Sequence, residues 1–416
     1  MTASDEVRRL RDGAKETNWI QSLCDTDVSL LAYYLAFGLY SLSCFLNGTT
    51  FETVFGVAVG MFSDVLRVVV LVLLASKFLC QRASFRGWVF ASSVVAIGFV
   101  SWRVSSQGFL FWLALFVISA ERVNLKCLAG ISLGVTSAML LLTLLFAGAG
   151  IIENRVSVRD GVTRYAMGFL HPNNFGAQLL LICSAIAVLR FGKSPFPVIP
   201  LFIGAAVLNN YLANSRTTVM LCILLGALLI LFYVVRSPSI QRRLSIALFC
   251  FVAIIVLLSL YMMVNFDASS SIQAAMNDAL SGRFKWAHAY YQLQPLTLFG
   301  SNFEQFAPIY WSNGVPSTFV VDNAYAHLVL RFGIVPSTLF FTGYIALFLN
   351  LIKQQRWDYV LFGVVLMAVF GFTEVAGIQV ECNYFLVAIG TDLIFTFKDI
   401  HSNRQRARNN ELHANN

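Results

Sequence analysis

Four short polar motifs interrupt a chain that is otherwise largely apolar. In chain order they are the segment 164–176 with Arg164, His171 and Asn173; Asn214-Ser215-Arg216; Ser281-Gly282-Arg283; and the segment 322–327 with Asp322, Asn323, Tyr325 and His327. An arginine guanidinium stays charged and presents a planar fork of donors that matches phosphate oxygens. A carboxylate or an imidazole can accept the proton of an attacking hydroxyl group. Together these residue types suit chemistry on a phosphate-linked substrate.

The composition places these motifs in a membrane protein. Hydrophobic residues make up 58% of the 416 residues, charged residues make up 12%, and the mean hydropathy is +0.72, which lies outside the range of soluble domains. The net charge of +8 does not indicate a nucleic-acid partner, because the basic residues occur in small groups between apolar runs. The eight cysteines show no CxxC or Cys/His spacing, so we expect neither a disulfide framework nor a metal site. We also expect no cofactor.

Hydropathy predicts an all-α polytopic membrane protein with about twelve transmembrane helices, since one span needs roughly 20 apolar residues. The predicted spans are 28–46, 62–80, 87–102, 106–121, 127–149, 171–190, 196–213, 216–235, 244–264, 333–352, 358–374 and 383–398. With the N-terminus inside, 20 of the 29 Lys and Arg residues fall on the cytosolic side, as the positive-inside rule requires. We therefore predict a cytosolic N-terminal tail at 1–27, one transmembrane domain at 28–398 and a cytosolic C-terminal tail at 399–416.

This topology leaves two large external segments, at about 150–170 and 265–321. In the second segment, apolar residues from 271 to 293 recur at roughly helical spacing, which predicts one amphipathic helix at the membrane surface, ended by Pro295. All four polar motifs fall on this external side, although more than 150 residues separate the first from the last. We expect them to meet there.

Other interpretations stay open for several of these residues. Arg155 and Arg159, in the first external segment, are expected to pair with nearby acidic residues and lipid headgroups. His171 could serve only as a helix cap, and Asp322 could cap a helix or pair with an arginine. Arg67, inside the second predicted span, is expected to snorkel or to find a packing partner.

In their order along the chain, the motifs resemble those of the bacterial O-antigen polymerase and O-antigen ligase superfamily. The matching segments are Gly168-Phe169-x-His171-Pro172-Asn173, Ser215-Arg216-Thr217, Ser281-Gly282-Arg283-x-x-x-Trp286 followed by Leu298-Phe299-Gly300, and Asp322-Asn323-x-Tyr325 before Arg331-Phe332-Gly333-Ile334. They cover roughly residues 150 to 335, and the hydrophobic layout extends the resemblance to the whole chain. The resemblance implies a metal-independent, membrane-embedded glycosyltransferase of GT-C-like architecture in the cytoplasmic membrane, with its active site on the outer, periplasmic face.

The same resemblance implies substrates and roles. Both donor and acceptor would be oligosaccharides linked to undecaprenyl pyrophosphate, and the protein partners would be a chain-length regulator and a flippase. Arg216 and Arg283 match the pyrophosphate-contacting arginines of the superfamily. The remaining expected contacts are Arg164 to the pyrophosphate and Asn173, Asn323 and Tyr325 to the glycan.

One departure from the superfamily pattern bears on the reaction. The ligases look to carry a His beside the Asn of the last motif, where this chain has Asp322. The difference favours a polymerase of O-antigen, capsule or exopolysaccharide, which transfers the growing glycan from undecaprenyl pyrophosphate onto a lipid-linked repeat unit. Asp322 is the first candidate for the base, held ionised by nearby arginines, and His171 and His327 are the alternatives. A glycan ligase and, from another class, a lipid-linked oligosaccharide flippase remain alternative functions.

Overall fold

The computed structural model describes residues 28–81, 85–159, 161–302, 309–312, 315–318 and 320–391. The α-helices in these ranges are α1 (Val28–Asn47), α2 (Phe51–Phe55), α3 (Val57–Leu79), α4 (Phe85–Ser105), α5 (Phe109–Ile118), α6 (Leu125–Gly148), α7 (Pro172–Leu189), α8 (Ile199–Leu212), α9 (Arg216–Val234), α10 (Pro238–Asn265), α11 (Ser271–Ala279), α12 (Arg283–Leu293), α13 (Ala324–His327), α14 (Ile334–Lys353) and α15 (Tyr359–Thr373). Eight of them, α1, α3, α4, α6, α7, α9, α10 and α14, are long and apolar enough to cross a membrane. The described chain is therefore that of a helical, multi-pass membrane protein.

Four predicted spans differ from the observed helices. Those at 106–121, 196–213 and 358–374 correspond to α5, α8 and α15, which have only 10, 14 and 15 residues. Every residue of α5 is buried, so α5 lies within the protein, where a full crossing of the lipid is unnecessary. The last predicted span, 383–398, begins with a 3₁₀ turn at Tyr384–Val387. Its residues after 391, and the predicted tails at 1–27 and 399–416, lie outside the described residues.

Helices α5 and α15 form the centre of the core. Phe116 of α5 lies edge-on to Tyr33 and Phe37 of α1, and the Tyr33 hydroxyl donates a hydrogen bond of 2.9 Å to the Phe116 carbonyl. On the other side, the Tyr344 hydroxyl of α14 donates to the Val364 carbonyl of α15 at 2.8 Å. Because a buried hydroxyl without a partner costs about 1–3 kcal/mol, these bonds fix how the helices pack around the centre.

Two β-hairpins lie in the segments between the long helices. Between α6 and α7, β1 (Val156–Arg159) pairs antiparallel with β2 (Val162–Tyr165), with Ser157 opposite Arg164. Between α12 and α13, β3 (Ile309–Ser312) pairs antiparallel with β4 (Val315–Thr318). The first hairpin positions Arg164, which hydropathy alone does not place.

The predicted single amphipathic helix at 271–293 is two helices, α11 and α12. They are separated by Ser281 and Gly282, whose φ angles are +56° and +87°. This left-handed region ends a right-handed helix and favours glycine. After the break, α12 buries Arg283, Phe284 and Tyr290, so it packs against the protein through one face. The prediction of one continuous surface helix is therefore wrong.

Candidate functional site

The N-terminus of α7 carries the first polar motif. His171 is the N-cap residue, and its Nδ1 accepts a hydrogen bond of 3.2 Å from the Asn173 backbone N–H. One turn further, a Cβ on Gly176 would lie 2.5 Å from both Asn209 Oδ1 and Thr218 Oγ1. Glycine thus allows α7 to approach α8 and α9 closely, which places the first motif beside the second.

Arg164 of β2 connects several of these elements. Its side chain is buried; Nε donates to the Ala213 carbonyl at 2.8 Å, and Nη2 donates to Asn173 Oδ1 at 2.6 Å. Asn173 Nδ2 in turn donates to Glu374 Oε1 at 3.0 Å. One chain of hydrogen bonds therefore joins the first hairpin, the turn between α8 and α9, the start of α7 and the end of α15.

Arg283 of α12 reaches the same carboxylate. Its Nη2 donates to Glu374 Oε1 at 2.8 Å, its Nη1 donates to the Leu280 carbonyl at 3.0 Å, and its Nε lies 3.8 Å from Asp322 Oδ2. Glu374 thus links the first and third polar motifs, Asp322 of the fourth motif lies beside Arg283, and the Ala213 carbonyl just before the second motif accepts from Arg164. We refer to Arg164, Asn173, Arg283, Asp322 and Glu374 as the arginine–carboxylate cluster.

Two further arginines add positive charge beside the arginine–carboxylate cluster. Arg159 Nη2 donates to the Asn214 carbonyl at 2.6 Å, and the exposed Arg216 begins α9. Burial lowers the pKa of Arg164 to about 10; the charges of Arg159 and Arg216 act in the same direction, and Glu374 opposes them. Four arginines and two carboxylates leave an excess of about two positive charges, which suits a dianionic ligand such as a pyrophosphate.

Both carboxylates of the cluster have raised pKa values. Burial raises the pKa of Glu374 to about 8, repulsion from Asp322 adds to this, and Arg283 opposes it. The sequence predicts that nearby arginines keep Asp322 ionised. In the structure, desolvation raises the pKa of Asp322 by more than the ion pair with Arg283 lowers it. A pKa closer to neutrality suits a group that exchanges protons during a reaction.

His171 is less suited to that role. Its pKa is lowered to about 4. Desolvation at the rim of the cluster contributes most, followed by the positive charges of Arg164, Arg159 and Arg283. The imidazole is thus neutral at pH 7, its Nδ1 already accepts a hydrogen bond, and it is a weak base. The structure shows the cap geometry of His171; a catalytic role stays a prediction.

The amide and phenol of the fourth motif have internal partners. Asn323 Oδ1 accepts from two backbone N–H groups at the start of α13, and Nδ2 donates to Ser259 Oγ and to the Phe372 carbonyl, both at 2.9 Å. These bonds use both amide hydrogens and both oxygen lone pairs. The Tyr325 hydroxyl donates to the Ala368 carbonyl at 2.7 Å. Glycan contacts by Asn323 and Tyr325 stay predictions, while the observed bonds join α10, α13 and α15.

His327 lies outside the arginine–carboxylate cluster. Its ring is buried, with the ring centroids of Phe109 and Phe332 each 6.0 Å away, and its Nδ1 is 3.0 Å from the Val321 carbonyl oxygen. Burial lowers its pKa to about 4. Of the three candidates for the base, the geometry therefore favours Asp322, which is half-buried beside Arg283.

Glu374 is the site residue that sequence reasoning missed. It accepts hydrogen bonds from both Asn173 and Arg283, so it connects the two halves of the cluster. The available signal was a single carboxylate at the external end of the predicted span 358–374, where an acidic group needs a partner or a function. Hydropathy alone assigns Glu374 to the edge of a hydrophobic segment and gives it no role.

No protein-family model, no curated protein and no solved structure matches this chain. The site itself is therefore the basis for a functional proposal. That site combines buried arginine forks, an excess of positive charge and two carboxylates with raised pKa values, all at one end of the helices.

Proposed function

We propose that the protein is a polysaccharide polymerase that transfers a growing glycan from undecaprenyl pyrophosphate onto a lipid-linked repeat unit. The observation that carries this proposal is the excess of positive charge, since Arg283 contacts both carboxylates and Arg164 lies near two further arginines, Arg159 and Arg216. Sequence motifs that resemble those of the O-antigen polymerase and ligase superfamily contain Arg216, Arg283 and Asp322, which supports the proposal further.

The arginines would bind and stabilise the leaving pyrophosphate. Arg216 is exposed at the first position of α9, where the unpaired backbone N–H groups of a helix also favour an anion. Arg283 and Arg164 are buried and held in place by Glu374 and Asn173. Donors that are fixed before the reaction stabilise developing charge without reorganising, and in a water-poor site this effect is large.

Asp322 would be the base. It takes the proton of the acceptor hydroxyl while that oxygen forms a bond to the anomeric carbon of the donor glycan. The bond from that carbon to the pyrophosphate oxygen breaks, and its electron pair leaves with the pyrophosphate, which the arginines neutralise. Glu374 acts as a positioning residue, since it holds Arg283 at 2.8 Å. The reaction in this form needs no metal ion.

The finer architecture belongs to the same proposal. Hydropathy supports about twelve spans, and the distribution of basic residues supports cytosolic termini with the site on the opposite, outer side. The resemblance to the O-antigen polymerase and ligase superfamily implies the GT-C-like arrangement and the periplasmic face of the cytoplasmic membrane. A site at the ends of the spans would let two lipid-linked substrates enter laterally from the bilayer. A flippase would supply these substrates, and a chain-length regulator would act on the product.

Reconstitution of the purified protein tests the proposal. Vesicles that contain only this protein and lipid-linked repeat units are expected to form a ladder of longer lipid-linked glycans, with or without a metal chelator. A flippase cannot lengthen a glycan, and a ligase would transfer it to a different acceptor without building a lipid-linked ladder. Folded protein that forms no ladder from the host's own repeat unit would overturn the proposal.

A further inference from the structure

A cavity whose apolar lining is interrupted by a few charged and polar side chains lies apart from the arginine–carboxylate cluster. It is bounded by α1, α3, α4, α5 and the segment after α15, and its volume is about 550 Å³, within the usual range for small-molecule sites. We call it the α3 cavity. Its lining includes Asp64, Arg67, Gln107 and Glu381, together with the aromatic side chains Trp102 and Trp112.

The charged groups of the α3 cavity are only partly satisfied by the protein. Among the described residues, the buried atoms Glu381 Oε2 and Arg67 Nε make no hydrogen bond. Arg67 Nη1 lies 3.5 Å from Asp64 Oδ1, three residues earlier on α3, and the Asp64 side chain is 75% exposed, so this ion pair is weak. Charged side chains within apolar helices are costly and usually mark a functional site. Snorkelling or packing by Arg67 stays a prediction, and its ion-pair partner is Asp64.

The balance of charge indicates which ligand fits. Two carboxylates, Asp64 and Glu381, outnumber the single Arg67, so a pyrophosphate is disfavoured here, in contrast to the arginine–carboxylate cluster. Carboxylate oxygens accept hydrogen bonds from hydroxyl groups. The amide of Gln107 and the guanidinium of Arg67 can donate hydrogen bonds to hydroxyl oxygens. The polar lining therefore suits a neutral ligand that carries many hydroxyl groups.

The aromatic lining supports the same ligand class. The ring of Trp102 stacks on Phe111 with centroids 5.1 Å apart and planes at 28°, and Trp112 lies 5.1 Å from the ring of Tyr40. Rings held in this way present rigid apolar faces. A sugar ring has an apolar face of C–H groups and a rim of hydroxyls, so it matches the combination of ring faces with hydrogen-bonding groups.

Two segments connect the α3 cavity to the arginine–carboxylate cluster. Glu374 in the cluster and Glu381 in the cavity are seven residues apart, which limits their separation to about 25 Å. In the long segment that also carries Arg283, Asn302 Nδ2 lies 3.4 Å from the hydroxyl of Ser106, which lines the cavity. One oligosaccharide substrate is therefore long enough to contact both the α3 cavity and the arginine–carboxylate cluster.

We propose that the α3 cavity binds a sugar unit of the lipid-linked oligosaccharide while the arginine–carboxylate cluster holds the pyrophosphate. This inference rests on the proposed function for the source of the sugar. The carboxylates accept hydrogen bonds from the sugar hydroxyls, Arg67 and Gln107 donate to its oxygens, and the tryptophan rings cover its apolar face.

A binding measurement tests the cavity directly. The probe is the repeat-unit oligosaccharide released by mild acid from the host's lipid-linked pool, labelled with a fluorophore at its reducing end and followed by fluorescence anisotropy with purified protein. Glu381→Gln and Gln107→Ala are each expected to weaken its binding about tenfold. The matched control Glu52→Gln, an exposed carboxylate outside the cavity, and Arg283→Ala are expected to leave the affinity within threefold. Melting curves of each variant show that it is folded.

The opposing results are distinct. The proposal is overturned if the wild-type protein shows no saturable binding, if neither cavity variant weakens binding, or if Arg283→Ala alone removes it. Stabilisation by Na⁺ that Glu381→Gln abolishes, without sugar binding, would assign the cavity to a cation instead.

If the probe binds in the cavity but reconstituted vesicles form no polymer, the proposed function fails and the cavity assignment stands. If polymer forms and Glu381→Gln leaves the KM for the lipid-linked unit unchanged, the cavity assignment alone fails.

Discussion

Replacing Arg283 with alanine should separate catalysis from stability. Arg283 donates one hydrogen bond to Glu374 and one to the Leu280 carbonyl, and it lies 3.8 Å from Asp322. Removing one partner of a buried ion pair usually costs about 3–5 kcal/mol, because the other charge is left without compensation. The raised pKa of Glu374, about 8, means that this carboxylate can take up a proton at pH 7 and avoid that penalty.

The expected loss of stability is therefore limited to the lost hydrogen bonds. Two bonds at roughly 0.5–1.5 kcal/mol each give about 1–3 kcal/mol for Arg283→Ala. The loss of transition-state stabilisation should be about 3 kcal/mol, which is more than a hundredfold in rate. Arg283→Lys should also slow the reaction at least tenfold, since an ammonium group keeps the charge but not the fork.

Two assays on the same preparations measure these effects, melting in detergent and glycan elongation in vesicles. The matched control is Arg155→Ala, whose arginine pairs with Glu153 at 3.2 Å but is 43% exposed, so stability and rate should change little. Elongation by Arg283→Ala within threefold of the wild-type rate would refute the pyrophosphate assignment. A loss of activity that only follows the loss of folded protein would reduce Arg283 to a structural role.

Four further outcomes are expected. Asp322→Asn should lower kcat at least a hundredfold with little change in substrate affinity, and polymer of normal length and amount would remove Asp322 as the base. His171→Ala should lower stability by about 1 kcal/mol, as the loss of a helix cap does, and should leave elongation within threefold, whereas slowing of more than tenfold would give His171 a role at the substrate. The pKa of Glu374 is raised from 4.5 to about 8, so its stabilising contribution is full below pH 4.5 and is lost as the pH rises through 8. The melting temperature of the wild type should therefore fall between pH 4.5 and 8 relative to that of Glu374→Gln. Parallel plots of melting temperature against pH for the two proteins would contradict this. Asn323→Ala should destabilise the protein by about 2–3 kcal/mol, and an unchanged melting temperature would show that its four hydrogen bonds contribute little.

Hydropathy anticipates the class of fold and the neighbourhood of the site. The alternation of apolar spans predicts that Arg164, Arg283 and Asp322 lie close together, and side-chain contacts join them in the structure through Asn173 and Glu374. The length criterion fails for α5 and α15, because helices buried inside a protein need not match the thickness of the bilayer. The left-handed residues Ser281 and Gly282 interrupt a helix whose apolar spacing looks continuous in the sequence.

Individual roles are harder to predict than the neighbourhood. Asn323 belongs to the fourth motif, yet all its hydrogen-bonding groups are taken by the backbone and by Ser259. Glu374 belongs to no motif, yet it holds Arg283. Motif membership indicates that a position is constrained, but it does not distinguish a side chain that faces a ligand from one that fixes the surrounding helices. That distinction depends on tertiary contacts more than 90 residues apart in sequence, such as Arg283 with Glu374.

The most direct test of the central claim is the affinity of the purified protein for polyprenyl pyrophosphate compared with polyprenyl monophosphate. With an excess of about two positive charges from Arg159, Arg164, Arg216 and Arg283 over Asp322 and Glu374, the pyrophosphate should bind at least tenfold more tightly. This preference should disappear in Arg216→Ala and in Arg283→Ala. Equal affinities for the two lipids in the wild-type protein, or a preference that both variants retain, would contradict the assignment of this cluster as the pyrophosphate site.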